Sequence, residues 1–214
     1  MVLFTSATVY PNLSNLVTVD LAVVHADQRK FKAFKTATGL NTRRALAAIS
    51  MSTNPRLLVR DLDAKTSGLY EGGNEIFVNR TLADQYERIF QLWGQSASEG
   101  SARTGEEPRW QALVTRAARL MESIILHELV HWGDRDHDGL LKDIEAQSLG
   151  WADVGHWFVH QAYGNEIKFR KATVRGRNIW SQVANHIPNW LGWDKHGTPY
   201  APGEPDGPSA PPPP

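Results

Sequence analysis

The pattern of apolar and polar positions in the first ninety residues predicts strands that alternate with short helices. Leu16 to Val24 is nearly continuous and β-branched, Arg56 to Leu62 alternates, and Glu75 to Val78 follows a Gly-Gly-Asn turn, so each is expected to be a strand. Asp27 to Phe34 and Thr42 to Ile49 have helical patterns, and each opens on a residue suited to cap a helix. This order of elements predicts a mixed α/β (α+β) fold.

The most regular apolar pattern lies in the second half of the chain. After Pro108, residues at alternating spacings of four and three lead into two histidines: Leu113, Ala117, Leu120, Ile124, His127 and His131. Such spacing places all of them on one face of a helix. We therefore expect a long helix whose buried stripe ends in two imidazoles.

Two segments lack such a pattern. From Gln95 to Glu107 the chain is dominated by Ser, Gly, Ala and Glu, which is typical of a mobile surface loop. From Asp194 it is rich in Gly and Pro, a composition that buries too little apolar surface to become ordered. We therefore predict one domain over residues 1–193 and a disordered tail over residues 194–214.

The composition of the chain mainly excludes certain classes of partner and site. The chain of 214 residues is 41% hydrophobic, which is typical of a single compact domain. It carries 23 Lys plus Arg and 23 Asp plus Glu, so the net charge is zero and no global field favours nucleic acid. It has no cysteine, which excludes disulfides, thiol nucleophiles and cysteine-ligated metals.

The most apolar stretch does not predict a membrane span. Leu16 to Ala26 contains Asp20 and His25, and it is too short and too polar to cross a bilayer. The first residues also lack the basic region of an export signal. We therefore expect no membrane span, and no nucleic-acid partner.

His127, Glu128 and His131 form an HExxH motif in the helical context that this motif needs. Imidazoles four residues apart share one face of a helix and can bind the same zinc ion. Glu128, one position further round the helix, can take a proton from a metal-bound water. The alternative is a chance motif on a polar surface helix, but these histidines continue the apolar stripe. We predict that His127 and His131 bind Zn2+ and that Glu128 is the general base.

A catalytic zinc ion normally has three protein ligands and one water, so a third ligand is required. The sequence offers four candidates, which are His137, Asp153, His156 and His160. His137 has the spacing of an HExxHxxGxxH pattern, but Asp134 stands where that pattern has its glycine. His156 and His160 are one turn apart on a predicted helix. Spacing alone leaves the choice open.

Two parts of the sequence resemble known zinc peptidases. Residues 126–134, which read Leu-His-Glu-Leu-Val-His-Trp-Gly-Asp, together with Gly72 to Ile76 and Ala162 to Gly164, resemble metallopeptidase toxin domains of bacterial polymorphic and type VI secretion effectors. This resemblance covers roughly residues 68–166. In addition, His160 to Gly164 is similar to the Asp-x-x-Tyr-Gly part of the aspzincin motif, with His160 in the position of the ligand aspartate.

These resemblances imply a zincin fold, in which the HExxH helix packs on a small sheet, and a zinc-dependent endopeptidase activity. They imply that His160 is the third zinc ligand, and that Tyr163 polarises the substrate carbonyl and stabilises the oxyanion. They also imply a protein or peptide substrate, a cognate immunity protein and a secretion-apparatus carrier. The protein would be exported without a signal peptide by a contact-dependent system and act in the target cell; otherwise it would stay cytoplasmic.

The residues after the motif also fit a calcium-binding pattern. Positions 1, 3, 5, 7 and 12 of D-x-[DN]-x-[DN]-G-x5-E are occupied by Asp134, Asp136, Asp138, Leu140 and Glu145. The pattern predicts a loop that binds Ca2+ at the end of the zinc helix. The alternative is a solvated, Asp-rich turn that ends the helix.

Two other classes of function stay open on sequence grounds. The metal could stabilise an interaction module without catalysis, in which case zinc would have four protein ligands and no open position. The same site could also belong to a zinc amidase acting on cell-wall peptides, because the site chemistry does not specify the amide that is cut. The interpretation we prefer is peptide-bond hydrolysis by zinc-bound water that Glu128 activates.

Overall fold

The computed structural model describes residues 8–50, 54–63, 66–98, 107–139, 151 and 153–164. The chain groups into two compact units. The first lies within Met1–Glu87 and Leu120–Lys168, and the second lies within Arg88–Arg119 and Phe169–Pro214. All residues of the HExxH motif belong to the first unit.

The first unit begins with helical segments. They are α1 (Pro11–Asn15), a π-helical turn (Leu16–Asp20), a 3-10 helix (Leu21–Ala26), α2 (Gln28–Thr38) and α3 (Thr42–Ile49). The Asp27 side chain caps α2, and the Asn41 side chain caps α3 by accepting the amide of Arg44. The helices predicted for these two segments are confirmed, and α2 extends to Thr38.

The strand predicted for Leu16 to Val24 is wrong, because this segment is helical. Leu16, Val17, Leu21 and Val24 are buried, and these positions recur at helical spacing. A short continuous apolar run has the same appearance in a buried strand and in a buried helix, so periodicity alone cannot distinguish them.

Three strands form one sheet, with the order β1-β3-β2. They are β1 (Arg56–Arg60), β2 (Gly68–Leu69) and β3 (Glu75–Asn79). β3 pairs in parallel with β1 and antiparallel with β2. The strands predicted from Arg56 and from Glu75 are confirmed, and β2 was missed because two residues carry no alternation. In this sheet β2 is an edge strand.

Three longer helices complete the described residues: α4 (Arg80–Ser98), α5 (Glu107–Asp138) and α6 (Val154–Tyr163). α5 is the predicted long helix with the HExxH motif, and α6 is the predicted helix with His156 and His160. α4 was not predicted, and it reaches into the segment assigned to a loop from Gln95. The mixed helix and sheet class is confirmed. Residues 99–106 and the predicted tail over 194–214 lie outside the described residues.

Glycines bring the elements around the motif into close contact. A Cβ on Gly155 of α6 would lie 2.6 Å from the ring of His127, and one on Gly133 of α5 would lie 2.7 Å from the Thr38 methyl carbon. Both distances are too short for a side chain, so only glycine allows these approaches. α6 also packs on α2 through an edge-to-face contact of Phe34 with Phe158.

Among the described residues, no helix combines the length and the apolar character that a membrane crossing requires.

Candidate metal centre

Three side chains with metal-ligating atoms converge where α5 meets the start of α6. Ligand atoms of His127, His131 and Asp153 all lie within 4.8 Å of one another. The two histidine Nε2 atoms are 3.2 Å apart, and they lie 3.6 Å and 3.4 Å from the two Asp153 carboxylate oxygens. Two imidazoles and one carboxylate form a donor set that fits a divalent transition metal. These three residues could therefore bind a metal ion.

The helical repeat of α5 places the two imidazoles side by side, with ring centroids 4.9 Å apart. Burial lowers the pKa of His127 to about 3; Asp153 opposes this effect, and the neighbouring His131 and His156 add to it. The neutral imidazole is the form that ligates a metal. His127 is thus held ready to bind without first losing a proton.

Asp153 reaches the histidines because it caps the N-terminus of α6. Its Oδ1 accepts the backbone amide of His156 at 2.6 Å. Burial alone would raise the pKa of Asp153, but the hydrogen bond with His131, the electrostatic effect of His127 and the His156 amide hold it well below its usual range. The positive end of the helix dipole acts in the same direction. Asp153 is therefore an ionised carboxylate, which is the ligating form.

The structure brings Asp153, and not the predicted third ligand His160, to the histidine pair. His160 is exposed, and its ring lies 5.1 Å from the centroid of Trp151. Asp153, the N-cap of α6, and His160 are seven positions apart, which corresponds to about 10 Å along a helix. Because the N-terminal end of α6 lies against the histidine pair, the cap residue reaches the two imidazoles and His160 does not.

The other two candidates have different surroundings. His156 is exposed beside the cluster, with its ring centroid 4.9 Å from that of His127 and its Nδ1 3.6 Å from Asp153 Oδ1. His137 packs against Gly39, where a Cβ would lie 2.5 Å from the imidazole. His156 is thus a neighbour of the site, whereas His137 helps to seat the end of α5 on the turn after α2.

Glu128 lies between the histidine pair and the edge strand β2. Its side chain is buried, and its Oε1 is 3.9 Å from His127 Nε2. Burial raises the pKa of Glu128 to about 7, although the charge of His131 and a hydrogen bond from the Tyr70 amide act in the opposite direction. A carboxyl group with a pKa near neutrality is suited to accept a proton and return it.

β2 can approach Glu128 only because residue 68 is glycine. A Cβ there would lie 2.7 Å from Oε1 and 2.8 Å from Cγ of Glu128, and 3.0 Å from Ile124. Neither Gly68 nor Gly155 was singled out from the sequence. A glycine that serves as a contact surface leaves no local pattern, so only the packed structure identifies it.

Tyr163, for which the resemblance implies an oxyanion-stabilising role, has a different partner in the structure. This side chain is 4% exposed, and its hydroxyl donates a hydrogen bond to Oε1 of Glu122 at 2.6 Å. Lys30 binds the same carboxylate oxygen at 2.5 Å. In this arrangement the phenolic proton is directed to a half-buried carboxylate on α5, not towards the histidine pair.

The calcium loop predicted from Asp134 is not formed by the described residues. Asp134, Asp136 and Asp138 all lie within α5, which continues to Asp138. In a helix they cannot surround one ion, because Asp136 projects from another face than its two neighbours and pairs with Arg44. Gly139 follows with φ +77°, as expected for a glycine that ends a helix. Leu140 and Glu145 lie outside the described residues.

Comparison with known proteins identifies a family whose model matches most of the chain. The family model for metallopeptidase toxin 3 matches residues 6–164, a range that covers well over half of the chain and includes all three candidate ligands. Neither the curated proteins nor the solved structures contain a significant match.

Proposed function

The chain belongs to the metallopeptidase toxin 3 family, and from this premise we propose that it is a zinc-dependent endopeptidase that hydrolyses peptide bonds with Glu128 as its general base. Family membership makes the protein a metal-dependent peptidase toxin that acts on protein. The observation that carries the more specific proposal is the convergence of His127, His131 and Asp153 next to Glu128.

Zinc is the metal that suits this donor set. Two neutral imidazoles and one carboxylate are the ligand types of catalytic zinc sites, which use three protein ligands and keep a fourth position open. A zinc ion held there would act as a Lewis acid on the substrate carbonyl and on the attacking water. The N-cap hydrogen bond from the His156 amide orients Asp153 toward the histidines.

Glu128 supplies the proton transfer in this proposal. Its carboxylate takes a proton from the attacking water, and it then gives this proton to the amine that leaves. Both transfers need a carboxyl group that is readily ionised and readily protonated. The burial of Glu128 between α5 and β2 produces such a group by raising its pKa to about 7.

The edge strand β2 favours an extended peptide as the substrate. β2 pairs with β3 through one edge, and within the described residues its other edge has no partner strand. Gly68 of this strand contacts Glu128. An extended peptide that adds to a free sheet edge is bound through its main chain, so it would run directly past the general base.

The first test is metal content together with hydrolysis of fluorogenic casein, on wild type, Asp153→Asn and His160→Ala. We expect one zinc per wild-type chain and zinc-dependent cleavage. Asp153→Asn should lower zinc affinity by at least about 10- to 100-fold, which is the usual cost of losing even a partner of a ligand. His160→Ala should retain both zinc and activity.

Three outcomes would contradict this proposal. Loss of zinc in His160→Ala with full zinc in Asp153→Asn would restore the ligand expected from the sequence. Tightly bound zinc without any hydrolysis would favour the interaction module. Cleavage of peptidoglycan peptides but not of casein would replace the endopeptidase with a cell-wall amidase.

We further propose that the protein acts as a secreted effector in a target cell and is neutralised by an immunity protein in the producing cell. Membership in a toxin family supports this role. Expression of the wild type in the cytoplasm and, separately, in the periplasm should arrest growth in at least one compartment. Glu128→Gln protein at equal abundance should be harmless in both, and wild-type protein that is harmless in both would contradict the role.

A further inference from the structure

The end of α6 opposite the candidate ligands holds a polar contact that the proposed chemistry does not use. The Tyr163 hydroxyl and the Lys30 ammonium both bind Oε1 of Glu122, at 2.6 Å and 2.5 Å. The Lys30 ammonium also lies 4.9 Å from the centroid of the Tyr163 ring. We call Lys30, Glu122 and Tyr163 the carboxylate anchor.

The carboxylate anchor joins three helices in a partly buried place. Lys30 belongs to α2, Glu122 to α5 and Tyr163 to α6, and the side chains of Lys30 and Glu122 are only 19% and 12% exposed. Charge-assisted hydrogen bonds at such a depth are stronger and more directional than at the surface. The anchor therefore holds the last turn of α6 against α2 and α5 together.

A second contact fixes the same turn of α6. Arg29, the neighbour of Lys30, donates from Nε to the main-chain carbonyl of Gln161 at 2.7 Å. Carbonyls in the last turn of a helix have no partner within the helix, so this bond satisfies one that would otherwise need water. Two adjacent basic residues of α2 thus contact the last turn of α6 or its partner Glu122.

Between the two ends, α6 is short and stiffly packed. It has ten residues, which corresponds to about 15 Å. Phe158 in its middle contacts the rings of Phe34 and Tyr163, with centroid distances of 6.1 Å and 6.3 Å. A helix held in this way moves as one body, so a rotation or shift at Tyr163 is transmitted to Asp153 at the other end.

We propose that the carboxylate anchor positions the third metal ligand: it sets the rotation and axial position of α6, and Tyr163 acts through Asp153 instead of on the substrate. This inference rests on the proposed function, because it takes Asp153 as a ligand. Gly155, which contacts the His127 ring, leaves little tolerance for a shift of the N-terminal end. Tyr163 is therefore a positioning residue.

The test uses Tyr163→Phe, which keeps the ring and removes only the hydroxyl. Zinc affinity is measured by competition with a chelator, and kcat is measured at saturating zinc. A positioning role predicts that zinc affinity falls about tenfold, as for other partners of metal ligands, while kcat falls less than about tenfold. Unchanged zinc affinity with a kcat loss of about 100-fold or more would identify an oxyanion donor and overturn the inference.

Tyr10→Phe is the matched control. Its hydroxyl is also buried and also donates to a carboxylate, that of Asp84 at 3.0 Å, but it lies at the N-cap of α1. This variant should lower the melting temperature about as much as Tyr163→Phe and leave zinc affinity unchanged. An equal loss of zinc affinity in both variants would show a general effect of destabilisation and overturn the inference.

A double-mutant cycle tests whether the effect passes through Asp153. In an Asp153→Ala background, Tyr163→Phe should no longer change zinc affinity, because the residue that it positions is gone. A tenfold loss that persists in this background would overturn the inference. If Tyr163→Phe does not fold, Lys30→Met replaces it in these measurements, since this substitution removes the ammonium from the carboxylate anchor and keeps an apolar side chain.

The wild-type measurements separate this inference from the proposed function. Wild-type protein that binds no zinc would overturn both. Wild-type protein that binds zinc and cleaves casein, with a Tyr163→Phe variant that binds zinc equally well, would overturn the positioning role alone.

Discussion

Two glutamates of the first unit are buried to almost the same depth and have opposite surroundings. Glu87 is 5% exposed and Glu128 is 6% exposed. The Glu87 carboxylate accepts the backbone amides of Asn12 and Leu13 and the side-chain amide of Asn12, at 2.7 to 3.2 Å. Glu128 accepts the amide of Tyr70 and lies beside the histidine pair, and its pKa is raised to about 7.

The difference shows that depth alone does not decide what a buried carboxylate does. Glu87 sits at the N-terminus of α1, where its carboxylate accepts hydrogen bonds from two backbone amides and one side-chain amide. The Glu128 carboxylate is removed from water and has fewer hydrogen-bond donors than Glu87. Its pKa is therefore raised, and it can be protonated near neutral pH. Glu87 is therefore a structural cap, and Glu128 is equipped for proton transfer.

The largest expected effect is the loss of activity when Glu128, the proposed general base, is replaced. Glu128→Gln should lower kcat by about 100- to 10,000-fold, the usual contribution of a general acid or base. Zinc content and melting temperature should be retained, because the amide keeps the volume and removes a desolvated charge. Casein hydrolysis, elemental analysis and a thermal melt check these points, and turnover near the wild-type rate would refute Glu128 as the base.

The complementary substitution tests the structural side. Glu87→Ala leaves the amides at the start of α1 without their acceptor, which should cost about 3 kcal/mol of unfolding free energy. The activity of the protein that remains folded should be close to wild type. Urea unfolding monitored by tryptophan fluorescence measures the loss, and a variant as stable as the wild type would show that the cap is dispensable.

A smaller effect tests how closely β2 constrains Glu128. Gly68→Ala places a Cβ within 2.8 Å of the Glu128 side chain, so the carboxylate or the strand must move. We expect kcat/KM to fall about tenfold, since small displacements of a reacting group are costly. Gly94→Ala in α4 is the control, because its Cβ meets nothing within 4 Å. Equal activity of Gly68→Ala and Gly94→Ala would show that catalysis does not depend on how closely β2 packs against the Glu128 carboxylate.

The smallest effect belongs to an exposed carboxylate. Asp136 pairs with Arg44, and both side chains are more than 40% exposed. Such pairs typically contribute less than about 1 kcal/mol, so Arg44→Ala should shift the melting temperature only slightly and leave activity unchanged. A loss of stability as large as that of Glu87→Ala would show that solvent exposure does not explain the different contributions of these carboxylates.

Local sequence predicted the elements whose signals are local. The cap residues Asp27 and Asn41 precede runs with helical periodicity, and α2 and α3 begin directly after them. The strand predicted for Leu16 to Val24 failed because burial on all sides removes the periodicity that separates helix from strand. The loop predicted at Asp134 failed because the same aspartates are compatible with the last turns of α5.

The sequence by itself determined the part of the site that lies within one helical turn. His127, Glu128 and His131 are placed by the repeat of α5, and any fold that keeps this helix keeps their geometry. Which side chain lies beside the histidine pair, and which group the Tyr163 hydroxyl contacts, depend on the tertiary structure alone. Asp153 reaches the histidines because the N-terminal end of α6 lies against them, and the Tyr163 hydroxyl contacts Glu122 through packing among three helices. Contacts between distant segments depend on how surfaces pack, and this information is not carried by the spacing of residues along the chain.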